Sequence, residues 1–234
     1  MMGAMQWLGS LFFPQGRVCH ACGAPLMGSE PLLCAACSVS LAGHTYPPYQ
    51  VETVVDADFT FAAAPYRYDG APAALVKALK FGADHTAALV LAEGMGAAYA
   101  AFAPLRQAEL CVAVPVHYRR ERQRGYNQAL VLARAFCALT AQPSPVDAMV
   151  RLHHKHSQIG QGREARRRNT AGAFAVRSDC LRLVRGRAIL LIDDVLTTGS
   201  TAEACAEALL MAGAQQVMLL TACRVDATQT IRHR

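Results

Sequence analysis

AILLIDDVLTTGSTA, residues 188–202, is the stretch that decides how this chain is read. Ala188 to Ile192 is an unbroken apolar run with two isoleucines, too short for a helix. It suits a strand buried on both faces of a parallel sheet. Two carboxylates, Asp193 and Asp194, follow directly; then come the loop residues Thr197, Thr198, Gly199, Ser200 and Thr201. The next run, AEACAEALLMAGA, forms a helix that Gly213 can cap. In an open α/β sheet, ligands sit beyond the carboxyl ends of the strands, where this loop falls. Gly199 lets backbone approach a ligand closely, and the hydroxyls and free amides of a helix start can surround an anion. The helix dipole adds about 0.3–1 kcal/mol of attraction for a phosphate. The loop favours phosphate, whereas the paired acids repel it. Both fit a ligand with phosphate at one end and vicinal hydroxyls at the other, as in a ribose 5-phosphate. Mg²⁺ would offset the remaining charge conflict where further phosphates are present. The bland alternative is a strand–turn–helix whose acids merely end the strand.

Hydrophobic run, acid pair and TTGST loop together resemble the PRPP-binding motif of type I phosphoribosyltransferases. The chain contains neither the Gly-Lys-Ser/Thr of a P-loop nor a GxGxxG dinucleotide fingerprint.

A second constellation lies near the start. Cys19-His20-Ala21-Cys22 is followed, after eleven residues, by Cys34-Ala35-Ala36-Cys37. Two CxxC knuckles supply four thiolates that can close a tetrahedron around Zn²⁺. The loop between them holds Gly23, Pro25 and Gly28, as expected for a small structure with almost no apolar core, and metal binding worth about 10–16 kcal/mol would fold it. Two disulfides or four unpaired thiols are the alternatives. With four cysteines no coordination position stays open, so the zinc reads as structural. His20 and His44 read as solvated surface residues. The other five cysteines are scattered through apolar contexts. An odd total of nine, without a signal sequence, points to a reducing cytoplasm.

At 234 residues and 53% hydrophobic, the chain can bury a full core, which excludes extensive disorder. No apolar run reaches the roughly 18 residues that span a bilayer, so no membrane insertion is expected. Met1 to Phe13 lacks the basic region and cleavage site of a signal peptide and reads as a short helix packed on the body. The net charge of +6 is concentrated. Arg119, Arg120, Arg122 and Arg124, with Arg151, Lys155, Arg163, Arg166, Arg167 and Arg168, hold ten of the 23 Lys and Arg. Two such segments point to a polyanionic ligand, either a pyrophosphate or a nucleic acid.

The expected division is a four-cysteine module over residues 1–45 and an α/β domain over 46–234, a parallel sheet flanked by helices. Residues 38–50, with Gly43, Pro47 and Pro48, read as the linker. Asp58 to Tyr68 alternates as strands or a hairpin. Pro72 opens a helix that sets Lys77 and Lys80 on one face, a solvated one, with Lys80 near the end that could reach a site. A helix follows over roughly 85–102. Leu110 to Val116 is a strand running into a cationic loop with His117, Arg122 and Arg124, and Gln128 to Leu139 is a helix. Neighbouring parallel strands bring their carboxyl-end loops to one edge, so this loop would face the TTGST loop and hold pyrophosphate. Met149 to Leu152 and Phe174 to Val176 read as strands. The polar segment between them carries His153, His154 and His156 without the spacing of a helical metal site. Arg185-Gly186-Arg187 turns into the central strand, Gln215 to Cys223 is another buried strand, and the tail to Arg234 is polar.

In this order the segments resemble the ComF family, phosphoribosyltransferase-like proteins tied to natural competence and DNA utilisation. The likeness spans the four-cysteine knuckle, Tyr66-Arg67-Tyr68-Asp69-Gly70, Leu79-Lys80-Phe81 and Val114-Pro115-Val116-His117. It continues through Arg122-Gln123-Arg124-Gly125-Tyr126-Asn127-Gln128, Gln158, Arg163 with residues 169–174, and the PRPP motif. The resemblance implies that Asp193 and Asp194 meet the ribose hydroxyls and Thr197 to Thr201 the 5-phosphate. Arg122 and Arg124 fall in its pyrophosphate loop, and Gln158 and Arg163 in a loop that closes over the ligand. The family has a threonine three residues before that glutamine, where this chain has Lys155. Implied ligands are PRPP with Mg²⁺, and phosphoribosyl transfer is the implied reaction. The rival is a non-enzymatic module that uses the same pocket for a nucleotide and the basic segments for single-stranded DNA. A redox role for the CxxC pairs ranks last.

Overall fold

In the computed structural model, residues 17–26, 32–46, 60–152 and 172–225 are described. Met1 to Phe13, the 153–163 loop with its histidines, Gln158 and Arg163, and the polar tail fall outside them.

The second knuckle runs straight into helix α1, Ala35–Gly43. The segment expected as linker is therefore helical through residue 43. Residues 44–46 then pair with the sheet edge: Arg67 donates its amide to the His44 carbonyl (2.9 Å) and Tyr46 to the Pro65 carbonyl (2.8 Å). The Ser40 hydroxyl of α1 also accepts from the Ala71 amide at 3.1 Å.

Strands β1, Phe61–Ala63, and β2, Tyr66–Arg67, form no hairpin. Pro65, lacking an N–H, interrupts the ladder, and both strands run parallel to one long strand, β7, Gln216–Arg224. Asp69 caps helix α2, Gly70–Phe81, by accepting from the Gly70 amide. Helix α3, Thr86–Ala101, follows as expected. Strand β3, Leu110–Ala113, leads through an extended Pro115 segment to α4, Tyr118–Arg124, and α5, Gln128–Leu139. The cationic stretch expected as a loop is thus a short helix. His117 accepts from the Arg119 amide at its start, and Gly125, at φ +84°, turns the chain out of it. Strands β4, Met149–Arg151, and β5, Phe174–Val176, form a separate antiparallel pair. A single helical turn, α6, Leu181–Val184, precedes β6, Ala188–Leu196, and helix α7, Ser200–Met211, joins β6 to β7.

The main sheet is parallel, in the order β1-β7-β6-β3, with β2 also on β7. Residues 188–192 are buried throughout, so both sheet faces must be covered. Helices α3 and α5 pack together over one face, while α7 contacts β6, β7 and β5. The fold is the expected one, a parallel α/β sheet flanked by helices and preceded by a four-cysteine module. Among the described residues no helix is long and apolar enough to cross a membrane.

Two registers position the site. Strand β3 pairs with β6 only as far as Ala113 opposite Ile192, with one further bond from the Val114 amide to the Ile192 carbonyl. Strand β6 runs on beside β7 through Leu196 opposite Arg224. Pro115 cannot donate, so the two strands part at the level of Asp193.

Candidate functional site

A cavity of about 810 Å³ opens where β3 leaves β6. Asp193 and Asp194 form its floor, with Thr197 and Thr201 beside them. A smaller, adjoining depression of about 40 Å³ is lined by Asp193, Thr197, Gly199, Thr201 and Thr221. Gly199 adopts φ +81°, a conformation that favours glycine, and from it the chain enters α7. Thr198 and Ser200 share a hydroxyl hydrogen bond at 3.1 Å. Hydroxyls and the start of α7 thus lie beside the two acids.

The two carboxylates differ. Asp194 is 4% exposed; its Oδ1 lies 2.8 Å from Lys80 Nζ, at the end of α2. Its Oδ2 is buried and has no hydrogen-bond partner among the described residues. Asp193 is half-buried, and its Oδ1 accepts from the Asp194 amide at 2.8 Å. Burial, then the neighbouring Asp194 charge, push the Asp193 carboxyl up to about 7, against the pull of that amide and of Lys80. Asp193, which borders both cavities, is placed to accept from hydroxyl groups, while the Asp194 Oδ2 beside it is enclosed.

The opposite wall is cationic and aromatic. His117, Arg120, Gln123 and Arg124 reach the cavity from α4 and its cap. Arg124 Nη1 donates to Gln128 Oε1 at 2.9 Å, and its guanidinium lies 5.1 Å from the Phe81 ring centroid. Tyr126 also lines the wall, donating its hydroxyl to the Leu79 carbonyl and meeting His85 edge-on. Asn127 fixes this wall to β3: its side chain donates to the Val114 carbonyl and accepts from the Ala129 amide, both at 3.0 Å.

Among the expected site residues, Asp193, Asp194, Thr197, Thr201, His117 and Arg124 border the main cavity, and Gly199 the small one. Arg122 is exposed and borders neither. Gln158 and Arg163 lie outside the described residues. Sequence reasoning gave Phe81 no role in the site; Lys80, set on a solvated face near a helix end that could reach a site, and Arg151, counted in a basic segment, also border the cavity.

At the other site, the sulfur atoms of Cys19, Cys22, Cys34 and Cys37 all lie within 4.8 Å of one another, and Cys22 and Cys34 are 3.8 Å apart. A zinc–sulfur tetrahedron with bonds of about 2.3 Å has edges of about 3.8 Å, so the four thiols fit a structural zinc. They form no disulfide. Burial would raise the Cys19 thiol, yet the amides of Cys34, Cys22 and Ala21 outweigh it and lower the group to about 6, while burial and the neighbouring thiols push Cys37 up. The neighbouring histidines are not simply solvated. His20 Nδ1 meets Asp84 Oδ2 at 2.5 Å, and His44 Nδ1 meets the Ser40 carbonyl at 2.6 Å.

No protein-family model matches the chain. It is 29% identical over 212 residues to the DNA utilization protein YhgH of Escherichia coli K12, covering 88% of this chain and 84% of that one. Competence protein F of Haemophilus influenzae is 30% identical over 115 residues, about half of each chain (49% and 50%). The YhgH protein of Salmonella typhi is 31% identical over 218 residues, covering 88% and 84%. The chain belongs to the ComF family. Among solved structures, one described as the allosteric regulatory enzyme of purine biosynthesis overlays with a TM-score of 0.40. It is 18% identical and covers 59% of this chain and 26% of that one. In this ComF-family chain the acid-ended strand β6 and the cationic helix α4 face a single cavity, although their residues are far apart in sequence.

Proposed function

We propose that the cavity binds a ribose 5-phosphate group, most fittingly that of PRPP with Mg²⁺, and that the protein is a phosphoribosyltransferase. One observation carries the reading: a hydroxyl-accepting acid pair, a threonine-rich helix start and the cationic groups Arg120, Arg124 and Lys80 border the same cavity. The ribose hydroxyls donate to Asp193 and Asp194, and the 5-phosphate lies among Thr197 to Thr201. Mg²⁺ bound with PRPP would neutralise negative charge on the pyrophosphate, with Asp193, which borders the cavity, as the carboxylate able to hold it. In the transfer, the C1–O bond to pyrophosphate breaks, the acceptor's lone pair forms the new bond to C1, and the acceptor's proton leaves to solvent. Arg124 and Arg120 stabilise the charge that develops on the departing group.

Calorimetry with PRPP and Mg²⁺ tests the reading. Wild type is expected to bind, and Asp193→Asn with Asp194→Asn to lose binding while keeping its circular dichroism spectrum. A double variant that binds like wild type refutes it. A pyrophosphate-release assay over a panel of bases and amines then separates a transferase from a binding module.

A second reading has its own support. Arg119 and Arg122 are exposed on α4 and do not border the cavity, which leaves them to a polyanion larger than PRPP. The relatives are named for DNA utilisation and competence. Single-stranded DNA along α4 would bind with a log affinity that falls steeply with log salt, and Arg119→Ala with Arg122→Ala would flatten that slope.

A further inference from the structure

We propose that His20 is a positioning residue for the cavity wall: through its hydrogen bond to Asp84 the cysteine module fixes the turn between α2 and α3, so that zinc retention and ligand binding support one another. The ligand half of this inference rests on the ribose 5-phosphate reading; the fixed turn does not.

His20 lies between the first two cysteines of the module, and Asp84 is 64 residues away in sequence. A carboxylate only accepts, so the ring Nδ1, 2.5 Å from Asp84 Oδ2, carries the proton and donates. Both side chains are largely enclosed, at 21% and 24% exposed, which strengthens the bond. The other oxygen, Asp84 Oδ1, accepts from the amides of Thr86 at 3.0 Å and Ala87 at 3.3 Å, the first donors of α3. One carboxylate thus joins the first knuckle to the start of α3. Within the turn it holds, Ala83 adopts φ +51°, a conformation that a residue with a Cβ keeps only where its surroundings impose it. Ala83 borders the main cavity, and His85 packs edge-on against Tyr126 of the cationic wall.

The module grips the other end of α2 as well. Helix α1 begins at the second knuckle; its Ser40 hydroxyl accepts from the Ala71 amide, and a Cβ added to Gly70 would lie 2.6 Å from His44 Cε1. The first knuckle therefore holds the turn beyond α2, and the second, through α1, holds its beginning. The His20 amide also donates to the Leu32 carbonyl at 3.0 Å, tying one knuckle to the other. Zinc on the four cysteines would fix the distance between the two grips. The helix held between them carries Lys80, which meets Asp194 on the cavity floor. Whatever steadies one side of such a connection favours the other, and the effect is mutual.

Two measurements on the full chain test this, with wild type, His20→Ala and His20→Asn, all of which keep the four cysteines. The Nδ2 of asparagine can donate from the place of the ring Nδ1, whereas alanine cannot. Hydrogen exchange reads the turn without any ligand. In zinc-loaded His20→Ala, and in wild type stripped of zinc, the Thr86 and Ala87 amides are expected to exchange about 10-fold faster, the lower range for one hydrogen bond to a charged group. Amides of β6 and β7 are expected to keep their wild-type rates, and His20→Asn to restore slow exchange at the turn. Zinc loss to a chelating dye reads the coupling. PRPP with Mg²⁺ is expected to slow that loss about 5-fold in wild type, the lower range for linked sites, and not in His20→Ala. The proposal is overturned if the turn exchanges at the wild-type rate in His20→Ala, if exchange rises equally across the sheet, or if His20→Asn restores nothing. It is also overturned if bound PRPP leaves zinc loss unchanged in wild type or slows it equally in His20→Ala. A wild type that binds no PRPP in calorimetry refutes the ribose 5-phosphate reading instead, and the exchange rates alone then decide the role of His20.

Discussion

Lys80 Nζ lies 2.8 Å from Asp194 Oδ1, tying the last turn of α2 to the end of β6 across the cavity floor. Asp194 is almost wholly enclosed, and its second oxygen has no partner among the described residues, so the lysine is its main compensation. Removing one member of a buried pair commonly costs about 3–5 kcal/mol. Lys80→Met is therefore expected to lower the unfolding free energy by about 3 kcal/mol in urea titrations. Lys80→Met combined with Asp194→Asn should recover most of it. A single variant as stable as wild type would mean that Asp194 needs no counter-charge.

Asp193 should give stability a pH dependence of a stated sign. Its carboxyl titrates near 7 in the fold, above the ordinary 3.8 it regains on unfolding. Between those values the folded chain holds a proton that the unfolded chain has released. The contribution is complete below about pH 4 and is lost as pH rises through about 7. Wild type should lose unfolding free energy between pH 5 and pH 8 relative to Asp193→Asn. Parallel pH profiles for the two proteins would contradict the environment described for this acid.

The four cysteine sulfurs should hold one zinc per chain, measurable by elemental analysis of the purified protein. Cys22→Ser or Cys34→Ser is expected to reduce that content to near zero and to lower the melting temperature. Reduced wild-type protein without metal, equal in stability to the zinc-loaded form, would remove the structural role.

Helix α3 carries two glycines with opposite expectations. A Cβ on Gly94 would fall onto the hydroxyl and ring of Tyr66, which is 5% exposed and packed in strand β2. Gly94→Ala should cost about 1–3 kcal/mol, as overpacking does. A Cβ on Gly96 would meet only the Thr140 methyl, at 3.4 Å. Gly96→Ala should be neutral or gain up to about 1 kcal/mol from helix propensity. Thermal unfolding of the two variants checks the contrast.

Local sequence was enough for much of this architecture. The run at 188–192, the capped helix after it, and the helices over 70–81, 86–101 and 128–139 follow from apolar periodicity, Pro72 and Gly213. Errors arose where tertiary pairing overrides local pattern. The alternating stretch ending at Tyr68 fits strands or a hairpin, and the structure takes the first: both strands pair with β7, near the other end of the chain. Residues 118–124 look like a loop because arginines crowd them, but the His117 ring caps their first turn and makes them helical. At the site, the acids and the threonine loop are contiguous and could be read directly. Phe81 reaches the cavity only through the folding of distant elements, whereas Lys80, near the end of its helix, and Arg151, in a basic segment, carried a partial signal.

The antiparallel contact of Thr45 with Tyr66 has a further meaning. Strand β2 would otherwise present bare amides and carbonyls at the rim of the sheet, a template on which another chain could add. The segment arriving from the cysteine module occupies those groups first, so the module also acts as a guard rail against aggregation. A chain trimmed to begin after residue 46 would therefore be expected to self-associate in sedimentation, even if its pocket folded normally.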